Sequence, residues 1–463
     1  MSLADLEARV AHDLACLNFG EADWLAPREH SGGHVFDAVI VGGGQSGLGA
    51  AFGLLRERIG NVLVLDENPA GQEGPWDTYA RMATLRTPKH LGSIEQGVAS
   101  LSFRAWWEAQ HGPAGWEALG KIPRREWMAY LRWYRAVLRL PVRNGARVTL
   151  VEPLLGLHRL HLSGGETLLA RKVILATGIQ GGGHWHTPPM IAQALASHRY
   201  AHTADAIDYA ALAGKRIAIL GGGASAFDNA HAALSAGVAA AHVFMRRKAL
   251  PRVNPIRFME RAGIIPRYPV LGDADKYALM AAFFRHNQPP TVDMFEAAAA
   301  FPGFELHLGS PWLSVEETGD AVRVTTPHGS LDYDFLILST GLVTDPALRP
   351  ELALVQDRIA RWGDRYRAPE PNPLLDAHPY LGAGFELLPR DPGDTGLHGL
   401  FAFNYSALIS MGLSASAISG LKHALPRLVS GVADQLFLDD RAAILTDFHA
   451  FAEPEFTVEW PRA

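Results

Sequence analysis

The chain has 463 residues, 48% of them hydrophobic, with a formal net charge of −6 and a single cysteine. This length and apolar content support two or three domains with sizeable cores, and the mild acidity excludes any general attraction to nucleic acid or an anionic membrane. Cys16 alone excludes a disulfide framework, a redox dithiol and an all-cysteine metal cluster.

The first 35 residues read as an N-terminal extension. Their start, "MSLADLEARVAHDLACLNFGEADW", mixes acidic with apolar residues and has neither the basic head nor the apolar core of a secretory signal. The most apolar uncharged run, residues 401–421, is rich in Ser, Gly and Ala and reads as loop plus buried helix, not a membrane span. A cytoplasmic protein acting on a small molecule is expected.

At Phe36 the sequence "FDAVIVGGGQSGLGAAFGLL" begins, with Gly42, Gly44 and Gly47 at the spacing of a dinucleotide-binding loop between a strand and a helix. The first glycine permits the tight turn, the second the approach of a pyrophosphate, and the third close helix packing. The next apolar run, "NVLVLDE", ends at Asp66, placed to accept hydrogen bonds from ribose hydroxyls. Residues 81–134 are rich in tryptophan, which at helical spacing predicts core packing rather than a substrate cage.

A second loop follows at "GKRIAILGGGASAFDNAHAAL", with Gly221, Gly223 and Ala226 in the three positions. Its next strand, "AAHVFMRR", ends in Arg246 and Arg247 where the first unit has Asp66. Guanidinium groups there suit a 2′-phosphate, which favours NADPH over NADH.

Short apolar runs ending in glycine recur at "KVILATG" and "DFLILSTG", closing with Gly178 and Gly341. Runs this continuous predict strands covered on both faces, so the fold class is α/β with two Rossmann-like, doubly wound units. The expected domains are an FAD-binding domain over 36–204 and 331–463, discontinuous in sequence, with an NAD(P)H-binding domain inserted at 205–330. One loop then holds a resident FAD and the other a visiting nicotinamide donor. No metal site is expected: His184 and His186 in "GGGHWHTPP" have no nearby carboxylate partner and read as a loop packed on the first "ATG" turn.

The segment "EGPWDTYARMATLRTPK", together with both loops and the "ATG" and "STG" turns, resembles the flavin-dependent monooxygenases. In that superfamily a glycine-rich turn ending in Trp follows the ribose acid, and Gly74, Pro75 and Trp76 match it. More narrowly, "GKIPRREWMAYLRWYRAVLRLPVRNGARV", "YAHTADAIDYAALAGKRI", "HPYLGAGFELLPRDPG" and "LFAFNYSALISMG" resemble a bacterial group that includes an FAD-dependent urate hydroxylase and N-hydroxylating, nitrosuccinate-forming aspartate monooxygenases. The likeness runs over most of residues 36–425. Two departures stand out: the superfamily histidine motif survives as "SHRYAHTAD", with His202 but no matching glycine, and residues 251–290 diverge from the group pattern.

The resemblance implies FAD reduced by NAD(P)H, oxygen added at flavin C4a, and transfer of one oxygen atom from a peroxyflavin to an electron-rich substrate such as a urate-type ring or an amine. It places Arg81, Arg86 and Lys89 beside the flavin, to hold an anionic substrate or reduced flavin. It also has Asn404, Tyr405 and Ser406 lead into a helix from Ala407 whose N–H groups face the flavin pyrimidine edge. His202 is a candidate contact to nicotinamide or ribose. The alternative left open is an NAD(P)H-dependent flavin reductase that passes electrons to an external acceptor.

Overall fold

Strands that are apolar on both sides must be covered on both sides, and the computed structural model, which describes residues 2–458, arranges them in two mainly parallel sheets. In the first, Val35–Val41 is flanked in parallel register by Val62–Leu65 and Thr167–Leu175. Val142–Arg143 extends one side, while the antiparallel strands Leu157–Leu162 and Val148–Leu154 extend the other. Leu400–Phe401 pairs in parallel with Thr167–Leu175 of the same sheet.

The second sheet has the spatial order Phe304–His307, Ala240–Phe244, Arg216–Leu220, Phe335–Leu338 and Tyr200–His202, with every join parallel. Two of these strands lie outside the expected limits of 205–330. The sheet needs them because Phe335–Leu338 covers the open flank of Arg216–Leu220, and Tyr200–His202 then covers Phe335–Leu338. The second sheet therefore draws strands from either side of residues 205–330. A three-stranded antiparallel sheet, Ser314–Thr318, Ala321–Thr326 and Gly329–Tyr333, packs on it through Trp312, Val322, Val324 and Tyr333.

Both crossings between the units run together: Gly183–Trp185 pairs antiparallel with Leu342–Thr344. The N-terminal extension is a capped helix, Leu3–Cys16, that buries Leu6, Val10 and Leu14 in the first core. The tryptophans also pack as core. Phe103 sits among Trp106, Trp107, Trp116 and Trp127 at centroid distances of 5.5 to 6.5 Å. The divergent segment 251–290 forms the helices Pro255–Arg261, Ile264–Arg267 and Asp273–His286. They pack against Trp362, Leu408, Ile409 and Leu413, bridging the inserted unit to the C-terminal part of the first.

Candidate active site between the two glycine loops

The three glycines of each loop face different surroundings. A Cβ on Gly42, where φ is +110°, would lie 2.4 Å from the Ala176 carbonyl oxygen, and one on Gly47 would lie 1.8 Å from that of Gly42. Both positions therefore exclude a side chain for packing reasons alone. Gly44 is different: its nearest neighbour is the Cα of Gly74, 3.8 Å away. The helix Gln45–Arg56 starts there without a side-chain cap, so its first N–H groups open onto a cradle between two glycine backbones.

The second loop repeats this. A Cβ on Gly221 would meet the Ser339 carbonyl oxygen at 2.2 Å, whereas one on Gly223 meets nothing within 4 Å. The helix Ala224–Ser235 is likewise uncapped, and Ala226 is buried against the loop. Two cradles of this form suit two pyrophosphates.

Asp66 is buried at the end of its strand, where one carboxylate oxygen accepts from the Gly43 N–H at 2.7 Å and the other from Asn68 at 2.8 and 3.0 Å. Arg246 is exposed and Arg247 half-buried beyond the second sheet, and neither forms an ion pair among the described residues. Arg247 does reach the Arg285 carbonyl at 3.2 Å. A cavity of about 490 Å³ opens beside the first loop, lined by Gly43, Gly71, Glu73, Arg132, Arg135 and Arg139. Glu73, buried there, is paired with Arg135 at 2.6 Å and bonded to Asn144. Nothing in the sequence marked it beyond its place before the Trp turn.

Trp76 is buried edge-on to Trp127, and its carbonyl accepts from Arg124. Gly178 and Gly341 both adopt positive φ. Gly178 accepts from the Tyr405 N–H at 3.1 Å, and Gly341 from the His186 N–H at 2.9 Å, so one turn anchors the C-terminal segment and the other the crossing.

The three residues expected to act on substrate have distinct surroundings. Arg81 reaches across to the inserted unit, donating to the Asp205 carbonyl at 3.2 Å with its guanidinium 5.6 Å from the Tyr209 ring centroid. Lys89 is held at the end of helix Phe103–Ala118, where its ammonium donates at 2.5 Å to the carbonyls of Trp116 and Leu119. Asn404 is also structurally committed. Its amide donates to the Leu175 carbonyl at 3.0 Å and to Thr177, and its oxygen accepts from the Ser406 N–H. The helix expected from Ala407 is one 3-10 turn and one α turn, stopped by Gly412 at positive φ; the long helix begins only at Ile418. Just before it, the Ala415 carbonyl accepts from the Ser46 hydroxyl at 2.8 Å, which brings this segment over the first loop.

Between the units, expected residues meet partners that the sequence did not single out: Asp228, Tyr79 and Trp185. Arg86 pairs with the buried Asp228 of the second loop's helix, whose carboxyl burial pushes up and the guanidinium pulls down. Tyr79 packs edge-on to Trp185, and Trp185 stacks on His202 at 4.9 Å. Burial holds the His202 imidazole down at about 4, so it is neutral near pH 7. The Ala204 N–H donates to its Nδ1 at 3.2 Å, which leaves the ring proton on Nε2, an atom that is buried and makes no hydrogen bond. His184 is exposed and His186 half-buried on the crossing strand pair and its exit.

Comparison with known proteins places this geometry. Residues 39–180 match a family model described as FAD-NAD(P)-binding, and residues 118–263 one described as L-lysine 6-monooxygenase/L-ornithine 5-monooxygenase. The whole chain is 65% identical to the FAD-dependent urate hydroxylase of Xanthomonas campestris pv. campestris, covering 100% of this chain and 99% of that protein. The chain belongs to this family of flavin-dependent monooxygenases. It is an FAD- and NAD(P)H-dependent oxidoreductase that inserts oxygen from O2 into a small molecule. The fold is shared more widely. Ornithine hydroxylase from Pseudomonas aeruginosa superposes with a TM-score of 0.66 at 18% identity, over 87% of this chain and all of that one. L-lysine 6-monooxygenase from Pseudomonas syringae does so with 0.66 at 18% identity, over 86% and 99%. No helix among the described residues is long and apolar enough to cross a membrane.

Proposed function

We propose that the first loop holds FAD, the second holds NADPH, and the substrate is a urate-type ring hydroxylated at carbon. The observation that carries this reading is the pair of uncapped cradles, at Gly44 and Gly223, in a chain similar over its full length to a urate hydroxylase. Bound FAD supplies hydride acceptance, oxygen activation and oxygen transfer. The chain supplies placement and charge.

Asp66 holds the FAD ribose, and the first-turn N–H groups after Gly44, with Arg132 and Arg139 nearby, hold the pyrophosphate. Arg246 and Arg247 take the 2′-phosphate of NADPH. His202 keeps a proton at Nε2 and donates a hydrogen bond to the nicotinamide or its ribose. Asn404 and Gly178 fix the C-terminal segment whose backbone borders the flavin, and Arg81 keeps positive charge where the two units meet, available to an anionic ring. The helices of 251–290 wall the substrate side, since Tyr268 donates to the Ile409 carbonyl at 2.9 Å and Arg257 to that of Arg86 at 2.7 Å.

A second reading, N-hydroxylation of an amine, draws on the lysine/ornithine monooxygenase match over residues 118–263. One experiment separates them. Purified protein is screened with urate, aspartate, ornithine and lysine for substrate-stimulated NADPH oxidation, and product mass is measured under 18O2. Urate should stimulate and gain one labelled atom. Labelling of an amine instead replaces the first reading with the second, and NADPH oxidation with no labelled product overturns both.

A further inference from the structure

We propose that His242, Glu305 and His307 form a binding site for one divalent transition-metal ion of the zinc class, on the edge of the second sheet.

Parallel pairing sets His242 opposite Glu305 and Phe244 opposite His307. Side chains two apart on a strand share a face, so the two histidines, the carboxylate and Phe244 all project from the same side. The three candidate ligand atoms lie within 4.8 Å of one another. Glu305 Oε2 is 3.6 Å from His242 Nδ1 and 3.0 Å from His307 Nε2. Tetrahedral zinc with ordinary bonds to nitrogen and oxygen separates its ligand atoms by about 3.3 Å, and the two Glu305 separations lie on either side of that value.

A second observation points to a ligand. His307 Nε2 is shielded from solvent and makes no hydrogen bond, although the Glu305 oxygen is 3.0 Å away. The ring cannot swing to improve that contact, because it stacks on Phe244 with centroids 4.3 Å apart and planes 5° from parallel. An ion between the nitrogen and the oxygen uses a lone pair from each. His242 Nδ1 is the atom that faces the carboxylate, 3.6 Å from Glu305 Oε2. The Tyr333 hydroxyl, 2.8 Å from Nδ1, engages that nitrogen when no metal is bound and so competes with one.

Two imidazoles and one carboxylate are a borderline-soft donor set that favours zinc, cobalt or nickel over the all-oxygen coordination of calcium and magnesium. The ligands come from adjacent strands, so a bound ion clamps the edge strand Phe304–His307 to its neighbour. Histidine pairs close in sequence gave no such set. This one needs a residue from position 242 and two from beyond 300, brought together only by sheet pairing.

The test uses the FAD-loaded full chain in a Cys16→Ser background, which removes the Cys16–His12 contact as a rival zinc ligand pair. After treatment with a chelator the protein is titrated with ZnCl2 by calorimetry, and its zinc-edge X-ray absorption is recorded. One equivalent should bind with two imidazole ligands and raise the melting temperature. Glu305→Gln, at a side chain more than half exposed, and His307→Asn should each weaken binding by roughly tenfold or more. Tyr333→Phe should tighten it by removing the competitor. Equal zinc affinity in the parent and in the Glu305→Gln/His307→Asn double variant, or absorption without imidazole ligation, overturns the proposal.

Discussion

Asp228, buried on the helix that carries the second glycine loop, is ion-paired with Arg86 on the segment beside the first. The pair spans the two nucleotide units, so it reports on how they are held together. Removing Arg86 leaves a carboxylate buried without its partner, which costs about 3 kcal/mol for a pair with one partly exposed member. Arg86→Ala should therefore lower stability by that order and raise the KM for NADPH. The double variant Arg86→Met/Asp228→Leu should recover most of the stability, and urea titration of all three chains checks it.

The glycines separate packing from ligand approach. Gly47→Ala forces a methyl group onto the Gly42 carbonyl and should destabilise by about 3 kcal/mol or more. Gly44→Ala has room and should fold with a normal far-ultraviolet spectrum yet purify with little flavin, read from the ratio of 450 to 280 nm absorbance. Gly223→Ala should keep its flavin and weaken NADPH instead.

Lys89 and Arg81 should part company under mutation. Lys89→Met removes charged hydrogen bonds at the end of helix Phe103–Ala118, worth about 1 to 2 kcal/mol, and should lower the melting temperature with kcat nearly unchanged. Arg81→Met should leave the melting temperature within a few degrees and depress kcat/KM, because its contacts lie between the units. Steady-state kinetics alongside thermal melts distinguish the two.

Arg246→Ser/Arg247→Ser should raise the dissociation constant for NADPH by about tenfold or more and leave that for NADH unchanged. Stopped-flow flavin reduction at varied concentrations of each nucleotide measures both. Equal effects on the two would remove the 2′-phosphate assignment.

Stability should fall as pH drops below neutral. His158, His202 and His378 are all held at about 4 by burial, so each stays neutral in the folded chain at a pH where the unfolded chain binds a proton. The stability they lend is whole above about pH 6.5 and is lost as pH falls toward 4. The three together predict a slope of roughly 3 kcal/mol per pH unit near pH 5. Urea midpoints at pH 7, 6 and 5 test this, and replacing His378 with Phe should flatten the dependence.

The sequence by itself determined both glycine loops, the apolar strands that lead into them, the acid and the adjacent arginines at the two following strand ends, and the tryptophan core. Each of these is written in contiguous residues, because a tight turn, a doubly covered strand or an amphipathic helix is a local demand on side-chain size and polarity. Only the tertiary structure decided where Lys89 points, that Asp228 meets Arg86, that strands 200–202 and 335–338 join the second sheet, and that His242, Glu305 and His307 share one face. Those outcomes depend on which distant segment covers an exposed edge or a buried charge. That choice is made by the closing of the fold, and no short stretch of chain contains it.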